Sequence, residues 1–191
     1  MPYISRAVVK SDWLNIAAID TSKDALIDRL ISYADSEIDE ICQQPIRQQS
    51  LTITFAGTHD FVYHTGYTVP LTVTTLSSRD SYADSFAAVS GTTTVIDREG
   101  AKSIFNDNGF TSLEYELVMT IGYATVPSVF EISAGELVTE MYFNTPFAPQ
   151  TNRFGISATS ESEAGISIGK TLIKMRDRIR PRLLPYVRVR I

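Results

Sequence analysis

Reactive side chains are few in this chain: two histidines, one cysteine and some paired carboxylates. His59 and His64 flank the aromatic run Phe61-Val62-Tyr63. Their spacing is not that of a helical metal pair, and at the ends of a strand an imidazole is solvated or hydrogen-bonded. With Cys42 they make three potential ligands in all, short of the four that a structural zinc site needs. Cys42 itself reads as a small core side chain near a helix end. The stretch Gly165-Ile166-Ser167-Ile168-Gly169-Lys170-Thr171 superficially resembles a phosphate loop, but only three residues separate its glycines where the phosphate-cradling pattern has four. The acidic run Ser160-Glu161-Ser162-Glu163 stands where a buried strand should precede it. Glu114 and Glu116 share one face of a strand, and Glu136 and Glu140 one face of a helix. Paired carboxylates can do acid–base work, but in these settings they read as solvated faces. The chain is therefore expected not to be an enzyme, with no cofactor and no metal site.

Charge is unevenly spread. The net charge is −5, yet the segment from Lys170 to Ile191 carries eight Lys/Arg and one acid. A basic end on an acidic body suggests that the two face different partners. Three readings of this end are open. Lys170, Lys174, Arg176, Arg178, Arg180, Arg182, Arg188 and Arg190 could neutralise nucleic-acid phosphates, although only Tyr186 is available for stacking and the acidic body opposes wrapping. The end could fray, as chain ends commonly do. Or it could form an extended arm, in which Tyr186-Val187-Arg188-Val189-Arg190-Ile191 alternates apolar and basic residues, a pattern suited to adding a strand to a partner's sheet.

Around these residues the periodicity changes twice. Ser5 caps a short predicted helix to about Leu14. A longer helix follows Asp20-Thr21-Ser22, with Leu26, Leu30, Ala34, Ile38 and Ile41 at helical spacing, Ile27 and Ile31 widening the stripe, and Pro45 stopping it. Asp24, Asp28, Asp35, Glu37, Asp39 and Glu40 give this helix an acidic outer face. Alternating segments then predict five to seven short strands between about 51 and 121: Leu51–Phe55, Phe61–Tyr63, Leu71–Leu76, Thr92–Ile96, Ser103–Phe105 and Leu113–Ile121. After Pro127 a helix is predicted in which Val129, Ile132, Leu137, Val138, Met141 and Tyr142 share a stripe, with Gly135 as an unfavourable interior residue. A long loop over 146–167 and a helix over about 168–180 follow, and Pro181 and Pro185 force an extended exit. The fold class is α+β: a small helical bundle with an inserted antiparallel β-rich domain. Its parts are 1–48, the β-rich insert 49–124, 125–181, and an arm over 182–191. The longest uncharged apolar run, Leu117 to Phe130, has 14 residues and holds Gly122 and Pro127; a membrane-spanning helix needs about 20. Met1 to Arg6 reaches charge too early for a signal peptide, and one cysteine fits a reducing compartment.

Four stretches, in this order, carry a resemblance. They are Tyr3-Ile4-Ser5-Arg6-Ala7-Val8-Val9-Lys10 with Trp13-Leu14; Lys23-Asp24-Ala25-Leu26-Ile27-Asp28-Arg29-Leu30-Ile31 through Ile41-Cys42 to Pro45-Ile46; Ile121-Gly122-Tyr123-Ala124-Thr125-Val126-Pro127; and Leu184-Pro185-Tyr186-Val187-Arg188-Val189-Arg190-Ile191. Together, over about half the chain, they resemble the tailed-bacteriophage head–tail connector family, the adaptor or head-completion proteins. The β-rich block is larger than that of compact family members. The resemblance implies a ring, usually of twelve copies, beneath the portal protein of a DNA-filled capsid. Such a ring extends the channel through which genomic DNA passes without sequence-specific binding, and offers a platform to a stopper or tail-completion protein. It implies residence in the virion neck, after assembly in the host cytoplasm, and no membrane. It also implies that the C-terminal helix and arm dock on the portal, with Leu184, Tyr186, Val187, Val189 and Ile191 as apolar anchors beside Pro185, and Arg182, Arg188 and Arg190 paired with acids of the portal or a neighbouring subunit. An acidic channel wall would let DNA slide. The alternatives are another neck or tail-terminator protein and, from a different class, a nucleic-acid-binding regulator that uses the basic end.

Overall fold

A computed structural model describes residues 2–98, 100–144 and 176–189. The chain is α+β and divides into two units. The first takes Met1–Ile41 and Pro127–Leu184, and the second Cys42–Val126 and Pro185–Ile191. Among the described residues no helix is long and apolar enough to cross a membrane.

The first unit is helical. Ser5 caps α1 (Arg6–Val8) by accepting from the Val8 amide, and the chain runs on as a π-helical turn, Val9–Trp13. The longer helix α2 is Asp24–Cys42. Its buried side chains are Ile27, Ile31, Ala34, Ile38 and Ile41, spaced four, three, four and three. Leu26 and Leu30, expected to lead the stripe, are only half-buried; the seam is rotated by one residue toward Ile27 and Ile31. The helix α3, Ser128–Phe143, buries Phe130, Ala134, Leu137, Val138 and Tyr142. Here Ile132 departs from expectation and lies 44% exposed. Phe130 takes the core position instead, stacked on Tyr3 at 5.4 Å between ring centroids. Gly135 has a packing reason. A Cβ placed there would lie 2.2 Å from Cε2 of Trp13, so only glycine leaves room for the indole.

The second unit holds two antiparallel sheets. One has the order β1–β7–β3–β4, built from β1 (Gln49–Ala56), β7 (Glu114–Ile121), β3 (Leu71–Arg79) and the two-residue β4 (Ala87–Ala88). The other has the order β2–β6–β5, from β2 (Val62–His64), β6 (Ala101–Asn106) and β5 (Thr93–Arg98). The central strand β7 alternates strictly, with Tyr115, Leu117, Met119 and Ile121 buried, as a strand with one face on the core must. Phe110, fully buried, meets Phe55, Tyr63 and Tyr115 edge-on at 5.5, 6.3 and 5.1 Å. The Ile121-Gly122-Tyr123 segment leaves β7 beside Ile46–Gln48. Tyr123 donates to the Ile46 carbonyl (2.8 Å), and Gln48 donates to that of Tyr123 (3.1 Å). Gly122, at φ +96°, would carry its Cβ 2.4 Å from the Arg47 carbonyl oxygen, which no other residue tolerates.

The chain end departs from an extended exit at Pro181. Residues 176–183 form a helix, α4, and Leu184–Tyr186 a 3-10 turn. Pro181 costs this helix one backbone donor, but fully buried Ile179 and Leu183 hold its last turn. The loop expected over 146–167, the start of the last helix, and the glycine pair at 165 and 169 lie outside the described residues.

Candidate docking segment at the C-terminus

The basic side chains of α4 have partners within the first unit. Arg176 Nη2 donates to Glu40 Oε1 at 2.7 Å, with Glu37 at 3.8 Å. The hydrogen bond to Glu40 holds the guanidinium pKa above its ordinary value. Arg182 Nη1 lies 2.8 Å from Glu136 Oε1, and Arg178 Nη2 3.9 Å from Glu136 Oε2. The acidic face of α2 is likewise engaged. Lys10 binds Asp24, Arg6 binds Asp28, and Asp35 and Asp39 accept from the Tyr3 amide and hydroxyl. All six acids named for that face thus have a partner inside their own unit.

Beyond α4 the segment is seated on the second unit by its backbone. The Tyr186 carbonyl accepts from the Gln44 amide, while Gln44 Oε1 accepts from the Thr68 amide at 2.9 Å. Gln44 is 6% exposed, so both ends of its carboxamide are spent on this junction. The Tyr186 ring meets Tyr123 edge-on at 6.1 Å, and burial raises the Tyr123 hydroxyl pKa, with Tyr186 adding to the effect. Arg188 donates its amide to the Cys42 carbonyl (2.9 Å) and Nη2 to that of Thr65 (3.1 Å). Its guanidinium lies 4.4 Å over the ring of Tyr67. The Val189 amide donates to the Gly66 carbonyl at 2.9 Å. Gly66 sits at φ +72°, and a Cβ there would lie 2.4 Å from the Val189 carbonyl oxygen.

The expected docking residues therefore sort by environment. Tyr186 and Val187 are half-buried, and Arg182 and Arg188 have intramolecular partners. Pro185 is exposed, and Leu184 and Val189 present apolar side chains at 56% and 38% exposure. Arg190 and Ile191 lie outside the described residues. Sequence reasoning missed the seat: Gln44 and the Thr65–Thr68 run. The one local signal was Gly66, between strand-like segments.

The residues considered for chemistry are dispersed. His59 is exposed, and His64 places Nδ1 3.0 Å from Ser103 Oγ. Cys42 is fully buried at the end of α2. Arg79 Nε and Nη2 lie 2.7 and 2.5 Å from Glu114 Oε2, so that carboxylate is ion-paired and not merely solvated. Among the described residues no group of three or more His, Cys, Asp or Glu could hold a metal ion.

The chain shares its fold with a protein of the neck of an empty GTA particle, solved with C6 symmetry. That match has a TM-score of 0.59 and 14% identity, and covers 100% of this chain and 91% of that one. A chain from the virion of the native gene transfer agent particle gives 0.59 at 13% identity over the same shares. One from the native particle's neck, solved with C12 symmetry, gives 0.52 at 14% identity, covering 92% of this chain and 94% of that one. No family model and no curated protein matches.

Proposed function

We propose that this protein is a structural component of the neck of a phage-like particle, and more specifically a head–tail adaptor. On this reading copies of the chain form a ring of twelve below the portal, extend the DNA channel and give a stopper or tail-completion protein its platform. The carrying observation is the fold shared, over the whole of this chain, with a protein solved in a particle neck and one solved in a virion. The order of the four sequence stretches supports the same reading, as does a site geometry in which carboxylates and guanidiniums neutralise one another. The role is structural, in the virion, after assembly in the host cytoplasm. Genomic DNA passes through the ring without sequence-specific recognition, and no membrane takes part.

The segment over 182–191 is the portal-docking element on this reading. Tyr186, Val187 and Arg188 fix its path, while Leu184, Pro185 and Val189, with Arg190 and Ile191, meet the portal. Co-sedimentation with the portal ring of the same particle tests this. The wild-type chain should co-sediment, and the double variant Leu184→Asp, Val189→Asp should not, with its melting temperature unchanged. Wild-type co-sedimentation that survives the double variant overturns the docking element. Failure of the wild-type chain to bind would move the protein to another level of the neck or tail.

A further inference from the structure

The turn Asn106-Asp107-Asn108-Gly109 in the second unit holds the one asparagine, of five in the chain, that glycine follows. That dipeptide carries a chemistry of its own. A glycine nitrogen, with no neighbouring side chain to shield it, can attack the carboxamide carbon of the asparagine before it. A bond forms between Gly109 N and Asn108 Cγ, the Cγ–Nδ2 bond breaks, and Nδ2 leaves as ammonia. The cyclic imide then takes up one water and opens to aspartate or isoaspartate. Base removes the amide proton at the start and the departing nitrogen takes one up, so the sum is water in and ammonia out, with no oxidant or cofactor.

The fold commits both reacting groups elsewhere. The Gly109 amide donates to the Asn106 carbonyl at 3.1 Å, and Asn108 Nδ2 donates to the Ser90 carbonyl at 2.9 Å. The Asn108 amide donates to Asn106 Oδ1 at 2.9 Å, which closes the turn from within. Residues 90–93 are fastened against it. Thr92 donates its amide to Asp107 Oδ1 (2.9 Å), Asp107 returns its own to the Thr92 carbonyl (3.3 Å), and Asn106 Nδ2 donates to Thr93 Oγ1 (3.1 Å). Gly91, at φ +104°, permits so close a fit. A Cβ there would collide with Asp107 Oδ1 and lie 2.6 Å from Asn108 Nδ2. Asn108 itself is exposed, so water reaches its carboxamide.

We propose that Asn108 is a latent self-modification site, closed while residues 90–93 are seated on it and opened when they lift. To react, the carboxamide must leave Ser90 and swing back over the backbone, and the Gly109 amide must leave Asn106. Both hydrogen bonds break before the new bond can form. The product cannot restore the seat. An ionised carboxylate at 108 has no hydrogen to give the Ser90 carbonyl, repels it, and stands beside the carboxylate of Asp107. Isoaspartate also adds a carbon to the backbone inside the turn. The change is therefore one-way, and it records any opening of this corner of the β-rich unit.

Timed incubation of the full-length chain in mildly alkaline buffer tests this, with the proteolytic peptide that contains Asn108 followed by mass spectrometry. The native chain should be modified about thirtyfold more slowly than the same chain in guanidinium chloride, the worth of two ordinary hydrogen bonds together. Gly91→Ala, which pushes the two turns apart, should bring the native rate up toward the unfolded one. Asp107→Ala removes only the tie to Thr92 and should do so in part; it decides the matter if Gly91→Ala shows no cooperative melting transition. A wild-type native rate equal to the unfolded rate overturns the proposal. So do folded variants that are modified as slowly as wild type, because the protection then comes from elsewhere. Asn108→Asp, one of the two products, should exchange its Thr92 amide about fivefold faster than wild type, as the loss of one hydrogen bond predicts. Unchanged exchange there overturns the one-way character of the site.

Discussion

The two units of this chain are held together by different means. In the second, an aromatic cluster around Phe110 and the strict alternation of β7 make a core from large apolar side chains on regular strands. In the first, two local fittings supplement the aliphatic seam of α2: the indole of Trp13 laid on Gly135, and the ammonium of Lys10 sunk beneath a turn. The first kind of stabilisation is distributed and follows from pattern. The second is concentrated in a few atoms and follows from shape and hydrogen-bond count. Substitutions can separate them.

The largest effect is expected in the β-rich unit. Phe110→Ala removes a fully buried ring from among three other aromatics, and should cost about 3–5 kcal/mol in denaturant unfolding. A loss below 1 kcal/mol would mean that the cluster is not the core of that unit. Lys10→Met comes next. It leaves two carbonyls, those of Ala18 and Asp20, without their donor, and Asp24 without its 2.9 Å partner but with Arg6 still at 3.7 Å. The expected loss is about 2–3 kcal/mol, read in the same experiment. Gly135→Ala should cost about 1–2 kcal/mol through overpacking against Trp13, despite alanine's better helix propensity. In a Trp13→Ala background the same change should be neutral, or should stabilise by up to about 1 kcal/mol. Equal costs in both backgrounds would dismiss the indole as the cause.

Legibility in the sequence follows the same division. The β-rich block was readable because alternation is a period-two signal independent of partners: Leu51–Phe55 lies within β1, and Leu113–Ile121 covers β7. What escaped was β4, two residues long and defined only by pairing Ala87 and Ala88 with Ser78 and Ser77. In the helical unit the elements were readable but not their rotation. The stripe led by Leu26 and Leu30 and that led by Ile27 and Ile31 are both helical, and only tertiary contact chooses. Ile132 was placed inside for its type and lies outside. Gly135 looked like a flaw because its reason, Trp13, is 122 positions away in the chain. The docking segment was legible as a segment but not in its seating. Alternation at the chain end announced an arm, whereas Arg188 is held by carbonyls of Cys42 and Thr65 that no pattern marks. Lys10 was least legible of all, since a lysine in a short helix reads as solvated.

The smallest effect sharpens the contrast where it is most local, at the turn beneath Ile19. Hydrogen bonds from Ser22 hold the Asp20 carboxyl pKa below its ordinary value, although the group is fully exposed. A carboxylate whose folded pKa is depressed contributes order that is complete above its unfolded pKa and is lost as pH falls through the folded one. The turn should therefore be as well protected at pH 5 as at pH 7, and loosen only below about pH 4, where an ordinary aspartate protonates. Amide exchange at residues 19–22, corrected for the intrinsic pH dependence of exchange, should show protection falling in that window while residues of β7 keep theirs. Asp20→Asn retains an acceptor oxygen for Ser22 but has no proton to gain, so its protection should be flat with pH. If the wild-type turn loosens no more than that variant, the carboxylate is not what orders this side of the turn, and the Lys10 ammonium alone fixes Ile19 in place.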